Sequence, residues 1–341
     1  MYTAHIDHPA AWTSASIGGK EGLMHRAGPE HREALNELLS RVRHLPPDGI
    51  TRLEFDHPVI NDLMAAVRDA VMNGHGAVIL SGLDFARYSL EDFSRIYWGL
   101  GTHLGSAAPQ SYRRDRLGHV QKEEDNPTGR GYLMDIELRS HTDFHEVLSL
   151  AGVRHAATGG RSGLVSSLAI HNAIRALRPD LLAALYEGFY QEWNNVKGAS
   201  SQKVPIFCNI DGKVSCYYHP PALMNAAKVL GTSLPPELTE AMSFFSSQAE
   251  RTDLRVDFML EPGEMMFWHN FLVLHSRTAF KDSPERRRLL LRLWLNVPNG
   301  RAMDPLFNGR AQAMDRQHES GQSAIDYVKT GTLESILAHR I

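Results

Sequence analysis

Cysteine is scarce in this chain: its 341 residues contain two, Cys208 and Cys216. They flank Asp211-Gly212, a strong two-residue hairpin signal. In that register Ile210 faces Lys213 and Cys208 faces Ser215, so the thiols sit one position out of alignment, on opposite faces. No disulfide is expected, and two half-buried thiols in a reducing compartment are. Long apolar runs are missing as well, since no segment approaches the roughly 18 uninterrupted apolar residues of a membrane span. Met1 to Ser14 carries His5, Asp7 and His8 where a signal peptide needs a cationic start and an apolar stretch. An excess of one charge is also lacking. With 36 basic and 39 acidic side chains the net charge is -3, and no basic run has interleaved aromatics, which argues against a nucleic-acid partner. Internal repeats and low-complexity tracts are absent. These absences point to a soluble, cytoplasmic protein acting on a small molecule, with neither membrane nor nucleic acid as partner; homo-oligomerisation stays open.

What is present divides near residue 100. Leu35, Leu38, Leu39 and Val42 repeat at helical spacing, as do Ile60, Leu63, Met64, Val67 and Val71 between Pro58 and Gly74. Ala77 to Leu80 reads as a short buried strand, and Ser89 with Asp92 caps a helix through Leu100. Residues 1–100 are thus a helical flank around one strand. From Gly101 to Arg139 the pattern fails amid dense charge, Pro127, Gly129 and Gly131. Such a stretch is functional or mobile more often than not, and 106–139 is read as a lid over a pocket.

Strand-like runs follow: Val147 to Val153, Leu164 to Ser167, Val204 to Cys208, Val214 to Tyr218, Leu254 to Leu260, Met265 to Trp268, Phe271 to His275 and Leu289 to Val297. Helical stretches at Ala169 to Tyr186 and Leu238 to Ala249 interrupt them. Short strands with period-two patterning and Gly/Asn/Asp turns predict a mainly β fold with flanking helices and a double-stranded β-helix (jelly-roll) core.

His141-Thr142-Asp143 opens this region, and His275 answers it from the end of another strand. Residues two apart in a strand share a face, so His141 and Asp143 can converge on one ion while Thr142 points away. Two imidazoles and a carboxylate on one side of an octahedral ion leave positions open, as oxygen-activating non-haem iron requires. Spacing alone is weak: His5-Ile6-Asp7 has it too, in a polar terminus with no strand around it. Because the three donors span 141 to 275, one metal site would tie most of residues 1–341 into a single domain.

The last strand adds a second signal. Arg288, Leu290, Arg292, Trp294 and Asn296 share one face, and Leu289, Leu291, Leu293, Leu295 and Val297 the other. The aliphatic face calls for burial against the N-terminal helices, which turns the arginines inward, where a bare guanidinium is costly and a bidentate carboxylate is a fitting partner. The competing reading is an edge strand whose arginines meet water.

The run from His141 through Gly159-Gly160-Arg161-Ser162, Ala169-Ile170-His171-Asn172, Arg178-Pro179-Asp180-Leu181-Leu182, Gly263-Glu264, His275-Ser276-Arg277 and Arg288 to Leu295 resembles the taurine dioxygenase / 2,4-D dioxygenase (clavaminate synthase-like) family of Fe(II)/2-oxoglutarate-dependent dioxygenases. The resemblance implies that His141, Asp143 and His275 hold iron. It also implies that Arg288 pairs with the distal carboxylate of 2-oxoglutarate, with Ser162 hydrogen-bonding the same co-substrate. Arg292 matches a position that in some members meets an anionic group of the substrate. Glu137 departs from taurine dioxygenase, where an Asn four residues before the first ligand orients the co-substrate.

The expected cofactors are Fe(II), 2-oxoglutarate and O2. The expected reaction is hydroxylation of a small polar, carboxylate-bearing metabolite, an amino acid or secondary-metabolite intermediate, with release of succinate and CO2. Desaturation, epoxidation or ring closure starts from the same cofactors; a Zn or Mn cupin-like enzyme and a non-catalytic binder are the rival classes. His145 shares the ligand face and is a candidate substrate contact, or else a solvated histidine. His155, His171 and His269 read as core or surface residues, Glu146 as solvated, and Met265 to Trp268 as core. Trp193, Asn194 and Asn195 are weak candidates for pocket lining.

Overall fold

Side-chain alternation along the last strand organises the molecule. The structure is a computed structural model that describes residues 1–111, 114–126, 129–193 and 198–310. The larger sheet has seven strands. In spatial order they are β1 (Met24–Arg26), β2 (Ala77–Ser81), β12 (Met265–His269), β6 (Val147–Arg154), β15 (Leu289–Asn296) and β3 (Ser106–Ala107), with β4 (Gly118–Val120) also on β15. The smaller sheet runs β11 (Arg255–Phe258), β8 (Ser162–Ser166), β13 (Val273–Arg277), β5 (Leu138–His141). Two ribbons complete the set: β9 (Phe207–Ile210) with β10 (Lys213–Cys216), and β7 (Thr158–Gly159) with β14 (Phe280–Lys281). Only β1 and β2 pair in parallel among the described residues.

Leu289, Leu291, Leu293 and Leu295 pack with Leu35, Leu38, Ile60, Val67 and Phe93 of the helices Pro29–Val42, Pro58–Met72 and Leu90–Gly101. Each leucine so buried contributes about 1.5–3 kcal/mol. Leu290 and Trp294 point the opposite way, into a second core with Leu148, Leu164, Val256 and Trp268 from both sheets. The inward arginines therefore occupy the space between the sheets, and the edge-strand reading fails. Ser89 accepts from the Asp92 amide at 3.0 Å, as its helix cap predicts.

Several expectations need correction. The stretch 106–139 is not structureless: β3 and β4 hydrogen-bond to β15, and the buried Gln110 side chain donates to Arg292 O at 2.8 Å. Residues 112–113 and 127–128 of that stretch lie outside the described residues. The helical run expected over 169–186 is two helices, Ser167–Leu177 and Leu182–Glu187, because Pro179 cannot continue the first. A helix at Pro220–Val229 was not anticipated, although its two leading prolines suit a first turn. The strands expected at 204–208 and 271–275 form at Phe207–Ile210 and Val273–Arg277. Cys208 does face Ser215, and both thiols are free and buried.

Candidate metal centre

Strand pairing sets His275 of β13 directly opposite His141, the last residue of β5. Their ring centroids lie 4.3 Å apart. Past His141 the chain leaves the sheet under tight control. Thr142 turns away and locks onto Tyr218, its amide donating to Tyr218 O at 2.8 Å and its hydroxyl accepting from Tyr218 N at 2.9 Å. The Asn270 side chain then grips the Asp143 backbone, so the carboxylate swings back towards the imidazoles. Asp143 Oδ2 lies 3.7 Å from His275 Nε2, and one donor atom from each of the three residues falls within 4.8 Å of the others. His141 Nδ1 is 2.7 Å from Arg139 O, a bond that keeps its proton on Nδ1 and leaves the Nε2 lone pair for a ligand.

The electrostatics suit a divalent cation. Burial alone would raise the Asp143 pKa, but His275, His141, Arg292 and Arg130 outweigh it and hold the carboxyl well below its ordinary range. Burial, reinforced by His141, pushes His275 down to about 3. A carboxylate and neutral imidazoles are what such an ion binds.

Two residues further along β13, about 7 Å away, a second group of polar side chains gathers. Arg277 lies opposite Ser162 in the register that sets His275 opposite Leu164, so Ser162, Arg277 and the ligand histidines share one face. Arg288 joins them. It is buried, its amide donates to Asp282 Oδ1 at 2.8 Å, and its Nη1 has no hydrogen-bond partner among the described residues. Burial and the neighbouring Arg277 push its guanidinium down to about 9. Gly160 makes room: a Cβ there would sit 3.0 Å from Arg288 Nε. A buried, unsatisfied guanidinium beside a serine hydroxyl fits the far carboxylate of a diacid whose other end reaches the metal. Sequence reasoning gave Arg277 no role, although its two-residue spacing from His275 was a usable signal.

Arg292 is buried on the metal side of β15. Its Nε donates to Gln110 Oε1 at 2.6 Å, its guanidinium lies 4.7 Å from the Trp294 ring, and its Nη2 has no hydrogen-bond partner among the described residues. His145 is buried and stacks on Trp294 at 5.1 Å, with burial lowering it to about 4. Glu137 is exposed. The expected solvated Glu146 is instead half-buried, 3.2 Å from the buried His269. His171 is core, beside Tyr186; His155 is half-buried against Leu260 O. Trp193 is buried with its indole on Gln191, and Asn194 and Asn195 lie outside the described residues. His5 and Asp7 are exposed and belong to no three-donor cluster among the described residues. Besides Arg277 and Asn270, sequence reasoning missed three more residues near the site. His219 presents its ring 5.9 Å from His141, and Arg130 and Arg310 converge on Trp294.

This fold and donor set define an Fe(II)- and 2-oxoglutarate-dependent dioxygenase. The chain belongs to the family described as "Taurine catabolism dioxygenase TauD, TfdA family", whose family model matches residues 41–294. It is 26% identical over 282 residues to FR-33289 synthase of Streptomyces rubellomurinus, covering 78% of this chain and 83% of that one. It is also 26% identical over 159 residues to the uridine-5'-phosphate dioxygenase of a Streptomyces species, covering 43% of this chain and 54% of that one. The fold is shared with asparagine oxygenase solved with Fe(II), 3-hydroxyasparagine and succinate. That match has a TM-score of 0.64 and 14% identity, over 80% of this chain and 93% of the other. No helix among the described residues is long and apolar enough to cross a membrane.

Proposed function

We propose that this dioxygenase hydroxylates a small, anionic metabolite of the amino-acid or secondary-metabolite kind. His141, Asp143 and His275 hold the iron in this reading, and Arg288 with Ser162 holds the distal carboxylate of 2-oxoglutarate. When bound, iron and 2-oxoglutarate supply the oxidising power: O2 is consumed, 2-oxoglutarate becomes succinate and CO2, and a substrate C–H bond becomes C–OH. The chain's own residues place and shield the reactants. Asn270 and Thr142 fix the ligand loop, Arg292 draws an anionic group to the metal side of β15, and the stacked His145 and Trp294 wall the pocket.

The observation that carries this reading is a pair of unsatisfied features: three donor atoms within 4.8 Å of one another, and Arg288 Nη1, without a hydrogen-bond partner among the described residues, beyond them. A Zn or Mn enzyme with the same three donors would leave Arg288 without a role. The two facing sheets are read as a jelly-roll core, and residues 1–341 as one domain with 1–100 as its helical flank. The stretch 106–139 serves as its cover, which Arg130 and Tyr132 beside Arg292 support. Two free thiols suit a cytoplasmic location.

The test is in two stages. Anaerobic protein with Fe(II) and 2-oxoglutarate should develop a weak visible charge-transfer absorption; a colourless mixture would refute the cofactor assignment. A panel of amino acids and small acids is then screened for substrate-stimulated succinate release, with hydroxylated product identified by mass.

A further inference from the structure

We propose that Glu146 is a positioning residue for the metal centre: it closes a ring of hydrogen bonds that holds Asn270, and through Asn270 the Asp143 loop, in place before a metal arrives. This rests on the donor set assigned above and gives a task to a residue that reads as solvated in the sequence. Glu146 stands three positions after Asp143, just before β6. The next residue, Val147, pairs with His269 of β12 on one side and with Leu295 of β15 on the other. A side chain at this point enters between the end of β12 and the chain leaving β15. There it is 10% exposed, beside a His269 side chain that is fully buried.

The ring can be followed atom by atom. Glu146 O accepts from the Asn270 amide at 2.8 Å. Next to Asn270, Phe271 O accepts from the Cys216 amide at 2.9 Å, which ties the turn between β12 and β13 to β10. On β10, Ser215 Oγ accepts from Arg301 Nε at 2.9 Å and Val214 O from Arg301 Nη2 at 3.0 Å. The Arg301 amide then donates back to Glu146 Oε1, which also lies 3.2 Å from His269 Nε2. Four segments distant in sequence thus meet on one residue: the Asp143 loop, the β12–β13 turn, β10, and the chain after β15. Because the Asn270 side chain grips both backbone groups of Asp143, the ring fixes the loop that carries the carboxylate. Partners that orient a metal ligand from outside the donor set are worth about 10–100-fold in metal affinity.

Gly300 shows independently that the place of this carboxylate is kept clear. It is exposed, yet a Cβ there would overlap the Glu146 carboxylate, whose atoms are its three nearest neighbours. Its backbone is outside the left-handed region, so a methyl would displace Glu146 without straining the turn.

The experiment titrates Fe(II) into anaerobic protein at saturating 2-oxoglutarate, following the charge-transfer absorption, and then 2-oxoglutarate at saturating iron. Glu146→Ala should raise the iron requirement about tenfold or more, and the 2-oxoglutarate requirement far less. Glu146→Gln keeps an acceptor oxygen for the Arg301 amide and should stay close to the parent. Gly300→Ala should shift the iron titration in the same direction as Glu146→Ala. The double variant should be no worse than Glu146→Ala alone, because both changes act through one carboxylate. In the metal-free protein, hydrogen exchange at the Asp143 and Asn270 amides should quicken in Glu146→Ala and Gly300→Ala. Should Glu146→Ala fail to fold, Gly300→Ala and Glu146→Gln decide the matter. Unchanged iron titrations, additive effects in the double variant, or equal damage to the 2-oxoglutarate titration overturn the proposal. Absence of the charge-transfer absorption in the parent protein would instead refute the underlying function.

Discussion

Asn270 holds Asp143 by both of its backbone polar groups: the Asp143 amide donates to Asn270 Oδ1, and Asn270 Nδ2 donates to Asp143 O, each at 2.9 Å. Asn270 is fully buried, at the turn between β12 and β13, and its own amide donates to Glu146 O at 2.8 Å. The Asp143 carboxylate is therefore aimed by a residue 127 positions away. Asn270→Ala leaves two buried backbone groups unsatisfied, a cost of about 2–4 kcal/mol. We expect a lower melting temperature together with a raised iron requirement; an unchanged iron titration would show that Asp143 needs no such support.

Asp143→Ala removes the one carboxylate of the donor set, which no other acidic group among the described residues can replace. Iron-dependent succinate formation should be lost. The metal-free protein should also melt below the parent temperature, because the ionised carboxylate, held below its ordinary range by His275, His141, Arg292 and Arg130, stabilises the folded state and its removal leaves those arginines unbalanced.

Arg288→Ala should raise the 2-oxoglutarate requirement far more than the iron requirement, since the guanidinium sits beside Gly160 and Ser162 and outside the three-donor cluster. Removing a charge-assisted bidentate partner corresponds to about 1.5–3 kcal/mol, or roughly tenfold to over a hundredfold in affinity. Equal damage to both titrations would contradict this division of labour.

Gly160→Ala tests the room left for Arg288. Gly160 has φ of 75°, in the left-handed region, where a side chain costs about 1–2 kcal/mol. The new methyl would also press on Arg288 Nε and Cδ, at 3.0 and 3.2 Å. Both thermal stability and 2-oxoglutarate affinity should fall; a loss of stability with full affinity would mean that Arg288 shifts without consequence.

Acid sensitivity should appear well above the carboxylate range. Burial lowers His103 and His171 from 6.5 to about 4. The unfolded chain takes up these protons as pH falls through 6.5, whereas the folded chain refuses them until about 4. Their contribution is thus fully present above pH 6.5 and is lost progressively between there and pH 4. Melting temperatures of the metal-free protein should be level above about pH 7 and decline through that window. A level profile down to pH 4 would contradict the burial argument.

Much of the fold could be read locally. The alternation of Leu289 to Asn296 reports two environments because each pleat turns successive side chains to opposite faces. The helices at Pro29–Val42 and Pro58–Met72 announce themselves through one apolar stripe each. The strands within 106–139 could not be read locally because β3 and β4 are too short to carry a pattern, and they exist only by pairing with β15. Arg130, Arg310, His219 and Asn270 were invisible for the same reason. Nothing in their neighbouring sequence distinguishes them from surface polar residues, and their burial depends on which distant strand lies alongside.

The two His-x-Asp triplets show where local information ends. By itself the sequence determined that both have donors of the right type at the right spacing, and that only one adjoins strands. Tertiary structure decided that His5 and Asp7 stay exposed while His141 and Asp143 meet His275, because coordination needs a third donor at a few ångströms. In this chain the register between β5 and β13 delivers it.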